Sequence, residues 1–447
     1  MGKRRSRLDK SGAPSTIRAP MLDIRLIREQ ADTVKQRLAQ RGTDYASVID
    51  EILALDEQRR TAETEKQRLQ GERNRTSKDI GIAKKKGEDT SAIETQVRGI
   101  GTRIDEISRE ADAADTRQRD LMLGLPNLPH DACPVGASSD DNPEVRVWGE
   151  KPAFAYLPKD HISLATTLGL IDFEAGIKIS GSAFIVYRGQ GARLERALLS
   201  FLLDLHTTEH GYTEVSVPHL VKPECLVGTG QLPKFDDQLY KCERDNLYLI
   251  PTAEVPVTNL HREEIVPLDK LPICYAGYTP CFRSEAGAAG VGTRGMIRMH
   301  QFDKLELVKI TTPETSFDEL EKLTANAEKV LQLLGLHYRV IELCTGDIGF
   351  GSTKTYDIEV WAPGQNGYLE VSSCSTFGDF QARRMGLRYK DEAGKNRFCH
   401  TLNGSGTALA RLYVALLETY QQEDGSIAIP AILQPYFRAE KIGGTEG

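Results

Sequence analysis

The chain has 447 residues, of which 40% are hydrophobic, so it can bury a full core and is predicted to contain more than one domain. Its formal net charge of −7 excludes a protein that coats nucleic acid over its whole surface, and any contact with a polyanion therefore requires a local basic patch. The eight cysteines form no C-x-x-C pair, which argues against both a disulfide framework and a zinc knuckle and favours reduced thiols.

The N-terminal segment is basic. Residues 1–20 carry six Lys and Arg side chains against Asp9 alone, a composition that predicts disorder. This segment lacks the apolar centre of a signal peptide, and no run of 18 apolar residues follows it. We therefore expect a cytoplasmic protein whose first residues are either a targeting or RNA-contacting tail or an inert extension.

A helical hairpin is predicted from about residue 45 to residue 123, where proline is absent and charge density is high. Apolar residues in the second half recur at spacings of four and three, which is the pattern of a coiled-coil seam. A glycine followed by an Asp/Ser cluster in Lys84–Ser91 ends one helix and begins the next, so two antiparallel helices of about 35 residues are expected to extend for ~50 Å. The seam residues are Ile93, Val97, Ile100, Ile104, Ile107, Ala111, Ala114 and Leu121.

The first helix of this hairpin is strongly basic. Between Arg59 and Lys86 there are ten Lys or Arg residues and four Asp or Glu residues. A nucleic-acid backbone would bind such a surface with a salt-dependent affinity. Taken alone, the same pattern also suits a solvated helix face or a coiled coil that recruits another protein.

The rest of the chain is predicted to form a largely antiparallel sheet flanked by helices, so the fold class is α+β. Leu125–Pro134 breaks the helical periodicity and marks a linker. An amphipathic stripe from Leu194 to Leu205 predicts a helix that ends before Gly211. The predicted strands are Tyr212–Pro218, Leu247–Val255, Ile273–Pro280, Met296–Ile310, Tyr356–Trp361 and Tyr368–Ser373.

Two runs of the chain, Gly277–Glu285 and Ile297–Asp303, carry a set of side chains that suits ATP. Arg283 offers a guanidinium for a phosphate, Glu285 offers a carboxylate for an exocyclic amine, and Phe302 offers a ring for a purine face. A Gly-rich stretch joins the two runs like a hairpin. The sequence thus predicts an ATP site without a phosphate-binding loop.

Three ordered motifs make the chain resemble a known family. Gly211–Pro218 resembles motif 1, Cys281–Glu285 through Phe302 resembles motif 2, and Leu402–Arg411 resembles motif 3 of class II aminoacyl-tRNA synthetases. Thr252–Glu254, Arg298–Lys304, Glu370–Ser373 and the basic hairpin are seryl-type markers within that frame. From Met21 onward the chain closely resembles bacterial-type seryl-tRNA synthetases.

The resemblance implies a domain organisation and a reaction. Residues 1–20 would be the extension, residues 21–125 a tRNA-binding domain with the hairpin arm, and residues 126–447 the catalytic domain. With ATP and Mg²⁺, a homodimer would activate L-serine to seryl-adenylate and transfer the seryl group to tRNA(Ser), and also to tRNA(Sec). The serine carboxylate is already ionised, so the site must align reactants and neutralise charge on the α-phosphate rather than supply a base.

The resemblance also assigns roles to residues. Arg283 would stabilise the reacting phosphate, Arg411 would hold the far end of the triphosphate, and Pro218 would lie at the dimer interface. The ATP-binding positions would be Arg283, Ser284, Glu285, Phe302, Glu370, Val371, Ser372, Ser373 and Arg411, with Glu370 and Ser373 holding Mg²⁺. The serine-binding positions would be Thr252, Ala253, Glu254, Glu306 and Ser405, and the tRNA-binding positions Lys66, Arg68, Arg73, Arg75 and Lys78.

Several residues have other interpretations. Without the resemblance, Glu306 would be predicted to face solvent from a strand, and Ser405 would be a turn residue. His206-Thr-Thr-Glu-His210 spells the H-x-x-E-H signature of some zinc peptidases, although Gly211 is predicted to end that helix at once. A non-catalytic or carrier-charging relative of the synthetases is a third reading. The segment Ser375–Gln381 departs from the family pattern, with no consequence that the sequence explains.

Overall fold

The computed structural model describes residues 22–286 and 295–443, so the predicted basic extension of residues 1–20 lies outside the described part of the chain. The helices are α1 (Ile24–Glu29), α2 (Ala31–Ala39), α3 (Ala46–Lys86), α4 (Ser91–Leu123), α5 (His161–Thr167), α6 (Phe173–Ser180), α7 (Gln190–Asp204), α8 (Pro223–Thr229), α9 (Glu254–Thr258), α10 (Ser316–Leu333), α11 (Phe380–Met385), α12 (Leu409–Tyr420) and α13 (Gln434–Phe437). Within the same ranges, every helix is too short or too polar to cross a membrane.

The strands are β1 (Glu144–Trp148), β2 (Ile171–Asp172), β3 (Val186–Tyr187), β4 (Thr213–Glu214), β5 (Leu220–Val221), β6 (Lys241–Cys242), β7 (Leu247–Leu249), β8 (Ile265–Val266), β9 (Ile273–Phe282), β10 (Gln301–Thr311), β11 (Tyr338–Glu342), β12 (Lys354–Ala362), β13 (Gly367–Thr376), β14 (Arg388–Lys390), β15 (Asn396–Phe398), β16 (His400–Ala408), β17 (Ile427–Ala428) and β18 (Lys441–Ile442). Eight of them form one sheet in the order β1-β11-β12-β13-β16-β10-β9-β4.

The predicted helical arm is confirmed as the antiparallel pair α3 and α4. Gly87 ends α3 with a φ of 76°, a left-handed conformation that glycine adopts without a steric penalty. The Glu88 N–H then donates to the Ala83 carbonyl at 3.1 Å, which satisfies one of the last carbonyls of α3. At 41 and 33 residues the two helices extend for about 60 and 50 Å, so the first helix is longer than predicted.

The predicted apolar seam holds the arm together along its middle. Leu69 of α3 packs against Ile100, Ile104 and Ile107 of α4. Near the base, α4 buries Gln118 and Met122, whereas the predicted seam residue Leu121 is only partly buried. A straight α-helix drifts relative to a heptad repeat, and this drift moves the buried face by one position.

The large sheet is antiparallel at every pairing except the short parallel contact between β4 and β9. Its back face packs against α7, α10 and α12, and the largest apolar core of the described residues lies there. This arrangement confirms the predicted α+β class. The opposite face, which we call the front face, carries polar side chains.

Three predicted strands are shorter in the structure than predicted. The predicted strand Leu247–Val255 ends at Leu249, because the chain turns at Pro251 and enters α9 at Glu254. The predicted strand from Met296 begins only at Gln301, because the N–H of the preceding residue, His300, donates to the Ala183 carbonyl instead of to a neighbouring strand. Tyr212–Pro218 is reduced to the two residues of β4.

Two β-bulges change which side chains reach the front face. Ile358 pairs with Ser372 and Glu359 pairs with Glu370, so Val371 is an additional residue in β13. Leu305 likewise pairs with Thr407 and Glu306 pairs with Ser405, so Gly406 is additional in β16. Bulges redirect side chains beside functional sites, and both of these lie in the strands that line the cavity described next.

Candidate active site

A cavity of about 760 Å³ lies on the front face of the large sheet, and we call it the central cavity. It is walled by β10, β13 and β16, by the first turn of α12, and by the segments that follow β9 and precede α9. Eleven of the residues assigned to ATP or serine from the sequence line it: Thr252, Glu254, Arg283, Glu285, Phe302, Glu306, Glu370, Val371, Ser373, Ser405 and Arg411.

Three other assigned residues are not on the cavity wall. Ala253 is fully buried in a small apolar cluster behind the cavity. The Ser284 hydroxyl donates to the Asp237 carbonyl at 2.7 Å, and the Ser372 hydroxyl donates to the Ser405 carbonyl at 2.6 Å. The side chains of Ser284 and Ser372 therefore hold neighbouring backbone segments in place.

Arg283 directly follows β9, and contacts with Pro251 and Phe302 fix one side of its guanidinium. Its Nε donates to the Pro251 carbonyl at 3.2 Å, and the guanidinium carbon lies 5.2 Å from the centre of the Phe302 ring. Among the described residues, no protein group hydrogen-bonds its two Nη groups. Those groups present the paired N–H donors that bind a phosphate or carboxylate in two places.

Two further arginines make one part of the cavity electropositive. Arg411, on the first turn of α12, donates from Nη1 to the Glu370 carbonyl at 2.7 Å. Arg298 lies 3.4 Å from the carboxylate of Glu285, whose φ of 48° is unusual for a residue with a side chain. The Ser284 N–H, which donates to the Gln238 carbonyl at 3.0 Å, helps to hold the backbone in this conformation.

One end of the cavity is lined by Thr252, Glu254, Glu306 and Ser405, and we call it the polar end or polar pocket. It contains a buried carboxylate, Glu306, which is 1% exposed. It accepts hydrogen bonds from Thr252 at 3.0 Å and from Asn403 at 2.9 Å, and it forms an ion pair with Lys304. Glu306 therefore faces the cavity rather than solvent. Ser405, its partner across the bulge, lies in a buried strand rather than in a turn.

A second carboxylate, Glu254, lies at the same end of the cavity. Gln381 donates a hydrogen bond to it at 2.6 Å. Burial, and secondarily the nearby charge of Glu306, raises the pKa of Glu254 to about 7. This pocket therefore combines a fully paired carboxylate with one that titrates near neutral pH.

The residues assigned to Mg²⁺ fit a hard cation. Because Val371 is a bulge residue, Glu370 and Ser373 both line the cavity although they are three residues apart in one strand. Asp357 pairs with Ser373 across β12 and β13, and burial, followed by the charge of Glu370, raises the pKa of the Asp357 carboxyl. Carboxylate and hydroxyl oxygens are the ligands that Mg²⁺ prefers.

Comparison with known proteins decides the family. Residues 240–420 match the tRNA synthetase class II core domain (G, H, P, S and T), and residues 21–129 match the seryl-tRNA synthetase N-terminal domain. The serine–tRNA ligase of Akkermansia muciniphila is 64% identical over 422 residues, which cover 94% of this chain and 99% of that protein. This chain belongs to the seryl-tRNA synthetase family.

Other family members are similar to this chain over most of its length. The serine–tRNA ligase of Laribacter hongkongensis is 53% identical over 428 residues, covering 95% of this chain and 99% of that protein. The crystal structure of seryl-tRNA synthetase from Pyrococcus horikoshii complexed with ATP has a TM-score of 0.90 and 39% identity, covering 95% of this chain and 100% of that one. The similarity to seryl-tRNA synthetases thus extends over both the arm and the sheet.

The structure places the five arm residues assigned to tRNA on α3. Arg68, Arg75 and Lys78 are exposed, and Lys66 and Arg73 are partly buried. Arg68 forms ion pairs with Glu65 at 2.7 Å and with Glu72 at 3.2 Å. Of the three exposed cations, Arg68 is therefore the one whose charge is locally compensated.

The histidines of the peptidase-like signature contact each other. A π-helical turn, Leu205–Glu209, extends α7 and brings the Nδ1 atoms of His206 and His210 to 3.0 Å. One Nδ1 must donate to the other, so the two atoms cannot both direct lone pairs to one metal ion. In the described ranges, no group of three or more His, Cys, Asp or Glu side chains is arranged to hold a metal.

The sequence assigned no individual role to four residues that shape the site, although three of them lie within the motifs: Arg298, Lys304, Gln381 and Asn403. Lys304 lies two residues from Phe302 and two from Glu306 in β10, so the period of a strand could have placed all three on the front face. Gln381 lies in the Ser375–Gln381 segment that departs from the family pattern, and only tertiary contacts bring it to Glu254.

Proposed function

We propose that this protein activates L-serine with ATP and transfers the seryl group to tRNA. The observation that carries the proposal is the position of Arg283 in the central cavity. Its guanidinium stacks on Phe302, and its charge acts on the buried carboxylate of Glu254, so it adjoins both the aromatic and the polar part of the site. A phosphate bound at Arg283 would therefore lie next to an amino acid bound at the polar end.

The proposed first step is attack by a serine carboxylate oxygen on the α-phosphorus of ATP. The new P–O bond forms as the bond to pyrophosphate breaks, and no proton needs to move. Arg283 would neutralise charge on the α-phosphate through its free Nη groups, and Arg298 and Arg411 would hold the departing phosphates. Phe302 and Glu285 would hold the adenine.

Glu370 and Ser373 would bind Mg²⁺ beside the phosphates. Bound there, the ion supplies positive charge that offsets the triphosphate. The contribution of the chain is to align its oxygen donors on one face of β13 through the bulge at Val371.

Serine selectivity would come from the polar end of the cavity. Thr252, Glu254, Glu306 and Ser405 offer hydrogen-bonding groups for an ammonium and a hydroxyl. Alanine would leave buried polar groups without a partner, which costs much more than the loss of a methyl contact. Threonine would have to be refused by the shape of the pocket.

We assign tRNA binding to the arm, with Lys66, Arg68, Arg73, Arg75 and Lys78 as the contact residues. The acceptors would be tRNA(Ser) and, by extension of the family resemblance, tRNA(Sec). The division into residues 21–125 for tRNA and 126–447 for catalysis is part of the same proposal. The separate apolar cluster at the base of the arm supports it, since that cluster consists almost entirely of residues from the first part.

We also propose that the enzyme works as a cytoplasmic homodimer with Pro218 at the interface. Pro218 is exposed in the single chain and follows β4, which lies at an edge of the large sheet. All eight cysteines are free thiols, which suits a reducing compartment.

The proposal is tested by measuring amino-acid-dependent exchange of labelled pyrophosphate into ATP with each standard amino acid. We expect serine alone to support rapid exchange, and the protein then to charge tRNA(Ser) and tRNA(Sec) transcripts with serine. Absence of exchange with serine by the folded protein would refute adenylate formation. Exchange without charging of either tRNA would refute the assigned acceptors, and it is the outcome that a carrier-charging relative would give.

A further inference from the structure

Gln381, on the first turn of α11, connects three buried groups. Its side-chain nitrogen donates to Glu254 at 2.6 Å and to the Thr229 carbonyl at 3.4 Å. Its side-chain oxygen accepts from the Thr401 hydroxyl at 2.7 Å. Gln381 is 1% exposed and does not line the central cavity, so it acts from behind the cavity wall.

The orientation of the Gln381 amide is fixed by chemistry. A carboxylate and a backbone carbonyl can only accept hydrogen bonds, so the group that meets both must be the NH₂. The Thr401 hydroxyl, which is fully buried, then supplies the donor for the amide oxygen. A flip of the amide would break the bonds to Glu254 and to the Thr229 carbonyl and would turn the Thr401 hydroxyl from donor to acceptor, so the surroundings favour one orientation.

The two carboxylates of the polar pocket are supported differently. Glu306 has Lys304, Thr252 and Asn403 as donors. Among the described residues, Gln381 is the one side chain that donates a hydrogen bond to the Glu254 carboxylate. A neutral amide therefore holds Glu254 where a cation holds Glu306.

We propose that Gln381 is a positioning residue for the amino-acid pocket: it fixes one oxygen of Glu254 and leaves the other to bind the ammonium or hydroxyl of serine. This inference rests on the proposed function and deepens it. It also gives the Ser375–Gln381 segment a role in substrate recognition.

The charges around Glu254 give the proposal a distinctive readout. Glu306 and Lys304 face it from β10, and Arg283 faces it from the end of β9. With its amide donor in place, Glu254 has a pKa of about 7, and serine would bind its ionised form. The KM for serine should therefore rise as the pH falls below about 7. Without the donor the ionised form loses support, so this rise should begin at a higher pH.

The test uses Gln381→Met, which keeps the shape of the side chain but donates nothing, and Thr401→Val, which removes only the bond that orients the amide. Gln421→Met is the matched control, because Gln421 is also buried, donates to the carbonyls of Lys159 and Glu418, and does not line the cavity. Serine-dependent pyrophosphate exchange is measured for all four proteins across about pH 6 to 9.

For Gln381→Met we expect a KM for serine that is about ten- to a hundredfold higher at neutral pH. The KM for ATP and the kcat should change little, and the pH at which the serine KM rises should move upward. Thr401→Val should raise the KM for serine, and the pH at which it rises, by smaller amounts. Gln421→Met should change neither the KM for serine nor that pH.

Wild-type serine KM and an unshifted pH profile in folded Gln381→Met would overturn the proposal. If that variant does not fold, Thr401→Val decides: an unshifted profile there overturns the proposal, and a shifted one supports it. An equal loss of activity towards serine and ATP would indicate a merely structural role and would also overturn it. Failure of the proposed function itself is distinguishable, because it would appear as absent exchange in the unmodified protein.

Discussion

Lys304 and Glu306 form a buried ion pair whose members depend on each other. Their side chains are 8% and 1% exposed, so either charge left alone would lack the solvation that water provides. Glu306 is also bonded to Thr252 and Asn403, which join the pair to β16 and to the loop before α9. A substitution at Lys304 should therefore disturb the hydrogen bonds of the whole polar pocket.

We expect Lys304→Met to lower the free energy of unfolding by about 3 kcal/mol, because it leaves a buried carboxylate without its cation. Urea unfolding at neutral pH measures this effect. Lys322→Met is the matched control: Lys322 also pairs with a glutamate, Glu319, but is 65% exposed, so its loss should cost less than about 1 kcal/mol. Equal effects of the two substitutions would contradict the account of the pocket.

His206 should make the protein sensitive to acid. Burial, and secondarily the neighbouring His210, lowers the pKa of His206 to about 3. The unfolded chain takes up a proton near the ordinary value of 6.5 while the folded one does not, so stability present above that pH is lost as the pH falls.

His206→Asn should remove this contribution. Below pH 6.5 the wild-type free energy of unfolding should fall more steeply than that of the variant, by up to about 1.4 kcal/mol per pH unit. Chemical unfolding at a series of pH values measures the difference. Parallel pH dependences of the two proteins would show that His206 is protonated in the folded state.

At the scale of elements, the bulges at Val371 and Gly406 could not be predicted from the sequence. Alternation along β13 places Glu370 and Ser373 on opposite faces, and only the additional residue between them brings both to the cavity. The strands themselves could be predicted, since β9, β12 and β13 carry clear β-forming runs. A bulge depends on pairing with a distant strand, so local residues do not reveal it.

The arm was predictable because its seam repeats over many turns, and its charge pattern could be read directly. The ion pairs on its surface could not be predicted, because they depend on the rotamers that neighbouring side chains adopt. Arg68 binds Glu65 and Glu72, whereas among the described residues Arg75 has no carboxylate partner within 4.0 Å. The five assigned cations are therefore not equivalent.

We expect Arg75→Ala to weaken tRNA binding and to reduce the slope of log affinity against log salt by about 0.7 to 0.9, the loss of one phosphate contact. Arg68→Ala should change the affinity and the salt slope less, because Glu65 and Glu72 already neutralise the charge of Arg68 on the helix. Fluorescence titration with labelled tRNA(Ser) at several salt concentrations measures both. A larger effect at Arg68 than at Arg75 would contradict the proposed contacts.

At the scale of the molecule, one chain has a mass of 49.6 kDa and an exposed apolar residue, Leu220, two positions after Pro218. Leu220 is 43% exposed in the single chain. A homodimer would cover this region, and the edge strand β4 beside it, from solvent.

Sedimentation should therefore find twice the mass of one chain for the wild type and a shift toward one chain for Leu220→Asp, because a charge would be buried in the interface. Ile82→Asp is the control, since Ile82 is 54% exposed on the arm and should leave the dimer intact. A wild-type monomer, or an unchanged dimer in Leu220→Asp, would refute the proposed interface.

The central claim is that the paired N–H donors of Arg283 stabilise the phosphate under attack by serine. Serine-dependent pyrophosphate exchange by Arg283→Ala, beside Arg283→Lys, tests it most directly. We predict unchanged thermal unfolding and a loss of exchange of about 100- to 1000-fold in the alanine variant, with only partial recovery in the lysine variant, which keeps the charge but not the fork. A folded Arg283→Ala protein that exchanges pyrophosphate at the wild-type rate would contradict the account.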